Sequence, residues 1–327
     1  MKTDLVNAAG LLTAVLLAGW LALIGRNSVQ VNALVAAAAE PNRAGQVVDA
    51  EGTAVVVRPY ARIVSLNPVA DHLLLQLVEP ARLIAVSSLT LGDHPEAWRF
   101  GDSIGVDRKE SIESVIALRP DLVVSSPFVD ASRHARLREL GIAVFNLGEM
   151  RGVGTTREGI EDLGRLLGLH ERAARLQRKF DRDLAALAAS ATADEPRGIY
   201  LSVYGDTFFG GTAGTSYGDV LGLAGFRDAA AESGFIDWPQ YTSEALIELA
   251  PDWIVTRKGM GEVIRRHPVL AQLPAVRSAH RILEIDDAYD GDAGLGVVHA
   301  ADSLQHALRQ ASEFESSEDT ETPSITR

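Results

Sequence analysis

The side chains able to do chemistry in this 327-residue chain point to binding rather than to bond-making. There is no cysteine, which excludes disulfides, thiolate metal sites, a cysteine nucleophile and a lipidated cysteine anchor. The eight histidines are scattered, without the converging ligand set that a bare zinc or manganese ion needs. No phosphate loop G-x-x-x-x-G-K-[ST] occurs, and Gly210 to Gly218 lacks the lysine; G-x-S-x-G and H-E-x-x-H are absent too. What the chain offers instead is aromatic rings near hydrogen-bonding and basic groups. Trp98, Phe128, Tyr204, Phe208, Tyr217, Trp238 and Tyr289 are such rings, with Asn67 and Arg257 as polar candidates. They suit a large ligand with flat apolar faces and polar edges.

A formal net charge of −13 argues against non-specific binding to nucleic acid or to an anionic bilayer surface. The composition, 46% hydrophobic and 23% charged, is that of a globular chain long enough to build real cores. Nothing in it calls for a cofactor.

The elements that must position these residues alternate in kind. Residues 1–39 hold the uncharged run Ala8 to Gly25 and the small-residue cluster Val35 to Ala39, and read as a cleaved export signal or an uncleaved membrane anchor. Either reading exports the remainder. Residues 40–58 form a linker and a leading strand. Short apolar runs at Arg62–Leu66, Arg82–Val86, Asp121–Ser125 and Gly141–Phe145 predict buried strands of a first lobe, 59–153. Thr155 to Ser190 carries an apolar stripe at helical spacing and predicts a long connecting helix within 154–193. Thr155 or Thr156 would cap it, and Gly164 and Gly168 are the positions at which it could bend or split. Strand-like runs resume at Gly198–Val203, Trp253–Thr256 and Arg281–Ile285, giving a second lobe, 194–311. The tail 312–327 is acidic, Ser/Thr-rich and expected to be disordered.

An internal repeat links the lobes. Ile112-Glu-Ser-Val-Ile-Ala-Leu-Arg-Pro-Asp-Leu-Val-Val124 aligns without gaps to Ser243-Glu-Ala-Leu-Ile-Glu-Leu-Ala-Pro-Asp-Trp-Ile-Val255. Each copy predicts a short helix, a Pro-Asp turn and a buried strand, so the lobes share a design. Turn chemistry explains the Pro-Asp pairs. It does not explain Glu113 and Glu244, for which complementing the helix dipole is the plainest role.

With these features in place, the sequence resembles the periplasmic substrate-binding proteins of ABC importers for ferric siderophores, haem and cobalamin, from about Val48 to Leu308. Four segments carry the resemblance: Pro59 to Pro68, Ser111 to Val124, Gly210 to Gly225, and Asp237 to Glu244. The resemblance implies an α/β fold of two Rossmann-like lobes joined by one long rigid helix, the class III arrangement. It also implies an extracytoplasmic receptor, not an enzyme, that hands a metal chelate to a permease dimer in the inner membrane. Glu113 and Glu244 fall where the family places one permease-docking glutamate on each lobe. Trp238, in Trp-Pro-Gln, resembles the cobalamin-binding members.

In open α/β lobes, ligands lie beyond the carboxyl ends of the strands. That rule selects the loops holding Asn67, Trp98, Phe128, Tyr204, Phe208, Tyr217, Trp238, Arg257 and Tyr289. His94, Tyr204, Tyr289 and His299 are haem-ligand types by position. Asp286, Asp287, Asp290 and Asp292 crowd the last loop, where the family carries a basic or proline-rich pattern, which disfavours a strongly anionic ligand there. The alternative reading is a membrane-tethered sensor or scaffold with the same fold and no transport role.

Overall fold

The computed structural model describes residues 45–321, apart from 93, 108, 192–194, 279, 287–288 and 290–291, with side chains as far as Glu315. The chain divides into two compact units, 1–46 and 47–327, and the second carries both lobes. The expected signal or anchor lies outside the described residues. Among the described residues no helix is long and apolar enough to cross a membrane.

A small two-stranded sheet, β1 (Gln46–Val48) and β2 (Ala54–Val56), leads into the first lobe. There β3 (Ile63–Ser65) is followed by helix α1 (Pro68–Leu77), β4 (Leu83–Ser87), β5 (Ile104–Val106), α2 (Ile112–Ala117), β6 (Leu122–Ser125), α3 (Ala131–Glu139) and β7 (Ala143–Asn146). The five strands β3 to β7 are all parallel, in the order β5-β4-β3-β6-β7. The near-continuous burial of β3, β4, β6 and β7 reflects helices on both faces, which is why these four read in sequence as apolar runs, while the edge strand β5 is largely exposed. The winding direction reverses at β3, so the crevice between the ends of β3 and β6 is the place where such a sheet binds ligands.

The expected long helix is two helices. Helix α4 spans Val153–Leu166 and α5 spans His170–Ser190, with Gly168 in a left-handed conformation (φ 67°) between them. The turn folds α4 back along α5. A Cβ built on Gly164 would fall 2.3 Å from that of Ala173, and Arg157 reaches Asp181 at 2.9 Å. The single connector is therefore α5, 21 residues or about 31 Å of helix. The apolar stripe ran unbroken because both arms of the hairpin bury the same kind of face. The capping expectation also changes. The Val153 amide donates to Asp219 of the second lobe at 2.7 Å, while Thr155 Oγ1 accepts from the Arg151 and Gly152 amides.

The second lobe contains β8 (Arg197–Tyr204), β9 (Thr207–Gly211), α6 (Ser216–Leu223), β10 (Arg227–Asp228), α7 (Ala229–Glu232), β11 (Gln240–Tyr241), α8 (Ser243–Leu249), β12 (Trp253–Arg257), α9 (Gly261–Arg266), α10 (Pro274–Arg277), β13 (Ile282–Ile285) and α11 (Gly296–Glu321). Its sheet runs β11-β9-β8-β12-β13, with β10 also on β8. The β8–β9 and β9–β11 pairs are antiparallel and the rest parallel, so this lobe is a mixed version of the first. The tail expected to be disordered from Ser312 is instead helical to Glu321. Leu304, Leu308 and Ala311 bury one face of α11, and Glu315 receives hydrogen bonds from Arg281 (2.8 Å) and Ser278 (2.9 Å). An acidic composition did not prevent a helix already nucleated on the core from continuing.

Candidate functional site: a cleft at the strand ends

The carboxyl ends of β3, β4, β6 and β7 open onto a cleft of about 410 Å³. Asn67 and Ser126 flank the point where the winding reverses; Leu89 and Phe128 form exposed apolar lips; Met150 and Ala293 close the inner side. Asp107 and Lys109 supply its charged groups. Asn67 is buried and partly committed: its Oδ1 accepts from the Val69 amide at 2.9 Å, capping α1. Phe128, 64% exposed, is the ring best placed in this lining.

The second-lobe candidates separate into three places. Tyr204 ends β8, is 55% exposed, and has the Arg257 guanidinium 5.5 Å from its ring centroid. The Arg257 Nε is buried without a hydrogen-bond partner among the described residues. Trp238, 43% exposed, lies under the Arg151 guanidinium, 4.6 Å from the ring centroid, and Arg151 adjoins the cleft-lining Met150. Phe208 belongs to the lobe's interior, and Tyr217 is half-buried against its core. Phe208 is 2% exposed and packs edge-on to His267 at 5.0 Å. Strand alternation decides this: β9 turns Phe208 inward and Phe209 outward. Tyr217 stacks on Tyr200 with centroids 3.7 Å apart.

Tyr289 and Trp98 also leave the cleft. Trp98 sits fully outside the lining, on a short 3-10 helix at Ala97–Phe100. Tyr289 lies in a separate cavity of about 240 Å³ between the lobes and the connector. There it stacks on His299 (5.1 Å) and meets the edge of His94 (5.7 Å), which in turn contacts His72 (4.2 Å). Three of the four haem-ligand types thus gather in this second cavity, and Tyr204 lies outside the lining of both. Burial lowers the pKa of both His72 and His94, which favours neutral rings. Among the described residues no group of three or more metal-ligating side chains is arranged to hold an ion. Asp292, expected to repel anions, caps α11 instead, accepting from the Gly294 (2.8 Å) and Gly296 (2.9 Å) amides. Asp286 pairs with Lys258 at 3.4 Å. Asp287 and Asp290 lie outside the described residues.

Glu113 and Glu244 are exposed in the first turns of α2 and α8 and make no ion pair among the described residues. Ser111 and Thr242 cap these helices in the same way, accepting from the Ser114 amide at 3.2 Å and the Ala245 amide at 3.1 Å.

One further constellation has the order of a hydrolytic triad. Ser125 Oγ lies 2.7 Å from His134 Nε2, and His134 Nδ1 lies 2.6 Å from Glu51 Oε1. Ser125 and His134 have no solvent exposure, so no substrate reaches them. With Arg138 bonded to Glu51 and Asp49, both at 2.9 Å, the set ties the β1–β2 turn to the first lobe.

The comparisons with known proteins agree with this geometry. The family description "Periplasmic binding protein" matches residues 63–288. The chain belongs to the periplasmic binding protein family. This binding protein is 25% identical over 255 residues to an uncharacterized ABC transporter substrate-binding lipoprotein, YvrC, of Bacillus subtilis, covering 76% of this chain and 79% of that one. It is 21% identical to the vitamin B12-binding protein of Salmonella choleraesuis, covering 76% and 90%. The solved periplasmic heme-binding protein RhuT of Roseiflexus shares its fold with a TM-score of 0.65 at 24% identity, over 76% and 98% of the chains. The role is substrate binding.

Sequence reasoning missed Lys109, Met150 and Arg151. Lys109 sits just beyond β5, a strand the sequence reading did not recognise, and Met150 just beyond β7, whose end the loop rule reaches from the strand predicted at Gly141–Phe145. Arg151 carried no local signal, because its second-lobe partners are more than sixty residues away.

Proposed function

We propose that this binding protein captures a metal chelate (a ferric siderophore, cobalamin or haem) in the cleft between its lobes and delivers it to a permease dimer of the inner membrane. The observation that supports this best is the cleft at the switch point of the first sheet, with apolar Leu89, Phe128 and Met150 around a few polar groups. Its lining is mainly apolar, with Asp107 and Lys109 as the charged groups, which suits a chelate's flat faces. Tyr204 with Arg257, and Trp238, are the second-lobe groups that meet the ligand. The protein works outside the cytoplasm and carries out no covalent chemistry. Its working parts are a first lobe at 59–153, a connector at 154–193 and a second lobe at 194–311.

Delivery uses Glu113 and Glu244, one carboxylate per lobe, to set register on the permease. A connector held at both ends allows small lobe movements only, so opening is driven by docking. Trp238 supplies the assay: titration of intrinsic tryptophan fluorescence with cyanocobalamin, hemin, and ferric hydroxamate and catecholate siderophores. Saturable quenching by one of them at micromolar concentration or below is the expected result; silence from all four would remove the chelate reading and leave the tethered, non-transporting role.

A further inference from the structure

We propose that Arg151 is the positioning residue of the cleft: it clasps the second lobe to the first and holds the Trp238 indole in place for the ligand. This rests on the cleft function proposed above, but its structural half can be tested without any ligand.

Arg151 lies at the end of the first lobe, between the cleft-lining Met150 and the start of α4. Each of its three guanidinium nitrogens has a partner. Nε donates to the Gly214 carbonyl at 3.1 Å, Nη1 pairs with Glu149 at 3.3 Å, and Nη2 is hydrogen-bonded to Asp237 Oδ1. The same plane covers one face of the Trp238 ring. Gly214, Asp237 and Trp238 all belong to the second lobe, so one side chain crosses the lobe junction three times. A planar fork with several donors and a stacking face is what this task needs, and lysine lacks both.

The segment being held is one that needs holding. Asp237 has a left-handed backbone (φ 59°), a conformation that costs free energy in a non-glycine residue. It is fixed from both sides: its amide donates to the Ala213 carbonyl at 2.9 Å, and its carbonyl accepts from the Thr212 amide at 3.1 Å. The conformation of Asp237 sets the direction in which the next residue, Trp238, leaves the chain. Arg151 engages the Asp237 carboxylate and the Trp238 ring together, so it fixes both the turn and the rotamer. With its charge already matched by Glu149 and Asp237, Arg151 acts on the ligand by orienting the indole and not by neutralising an anion.

The test uses the full chain and four variants: R151Q, R151K, D237N and W238F. The emission of Trp238 is obtained as the difference between each protein and the same protein carrying W238F. Replacement by glutamine is expected to move this difference spectrum to longer wavelength and to raise its quenching by acrylamide, with no change in the W238F background. D237N, which tolerates the left-handed backbone, is expected to reproduce the shift, and R151K to fall between wild type and R151Q. Loss of the stack should weaken binding of the probe that responds, cyanocobalamin or hemin, by about tenfold. If Trp238 emission and acrylamide access are the same in R151Q as in wild type, the assignment is overturned. If they change as expected while none of cyanocobalamin, hemin and the ferric hydroxamate and catecholate siderophores binds wild-type protein, the clasp stands and the chelate reading fails.

Discussion

Arg119 and Ala250 occupy the same place in the two halves of the internal repeat and adopt the same left-handed backbone, with φ of 50° and 40°. Each precedes a proline, which disfavours the right-handed helical region for the residue before it, and each closes a helix opened by Ser111 or Thr242. Two non-glycine residues would not share an unfavourable conformation by chance. The unit from capping hydroxyl to buried strand is one structural device used twice, and it displays Glu113 and Glu244 in matching positions.

Removing both carboxylates should therefore affect transport and spare the receptor. The double variant Glu113→Ala, Glu244→Ala is expected to bind its ligand with wild-type affinity and to lose most uptake in whole cells. Full uptake by the double variant would remove these residues from the docking role.

Asp71 is a buried acid inside α1. Its Oδ2 accepts from the Ser87 amide (2.9 Å) and Thr90 (2.6 Å), while Oδ1 has no hydrogen-bond partner among the described residues. Burial outweighs these bonds and pushes its pKa up to about 7. Because the folded-state pKa is raised, the protonated acid is fully favourable below its unfolded value near 3.8. Stability is then lost as pH climbs through about 7. Asp71→Asn should raise the Tm at pH 8 by roughly 3–6 °C and change it little at pH 4, measured by calorimetry.

Glu51 behaves in the opposite sense. Burial pushes its carboxyl up, but hydrogen bonds from His134, Asn146 and Arg138 prevail and hold it at about 2. Its contribution is present above the usual glutamate value and is lost as pH falls through about 2. Glu51→Gln is expected to cost ~1–2 kcal/mol at pH 7, with the gap to wild type closing near pH 2 in denaturant titrations.

Gly164 offers a test of the helical hairpin. In an exposed helix, glycine to alanine stabilises by about 1 kcal/mol. Here the added Cβ would meet Ala173 Cβ at 2.3 Å, closer than two side chains can pack. Gly164→Ala should instead destabilise by ~1–3 kcal/mol, seen as a lower urea midpoint. A stabilised variant would mean that α4 and α5 do not pack as described.

The two-lobed α/β plan is legible in the sequence, because buried parallel strands are local apolar runs that need no partner to be recognised. The sequence by itself also determined the repeat with its paired glutamates, since helix, Pro-Asp turn and strand are written within thirteen consecutive residues. Asn67 and Phe128 were reachable for the same reason: each directly follows a legible strand. The tertiary structure alone decided the rest. Phe208 and Phe209 are adjacent and chemically alike, and only the pairing of β9 with β8 shows which one faces the core. A hairpin and a straight helix share one apolar periodicity, so the fold-back at Gly168 needed the packing of α4 on α5. Tyr289 left the cleft because His94, from a first-lobe loop far away in sequence, meets its edge while His299 of α11 stacks on its ring. Arg151 reaches the second lobe through Gly214, Asp237 and Trp238. Contacts of that range are set by how whole lobes meet, and local sequence carries no trace of them.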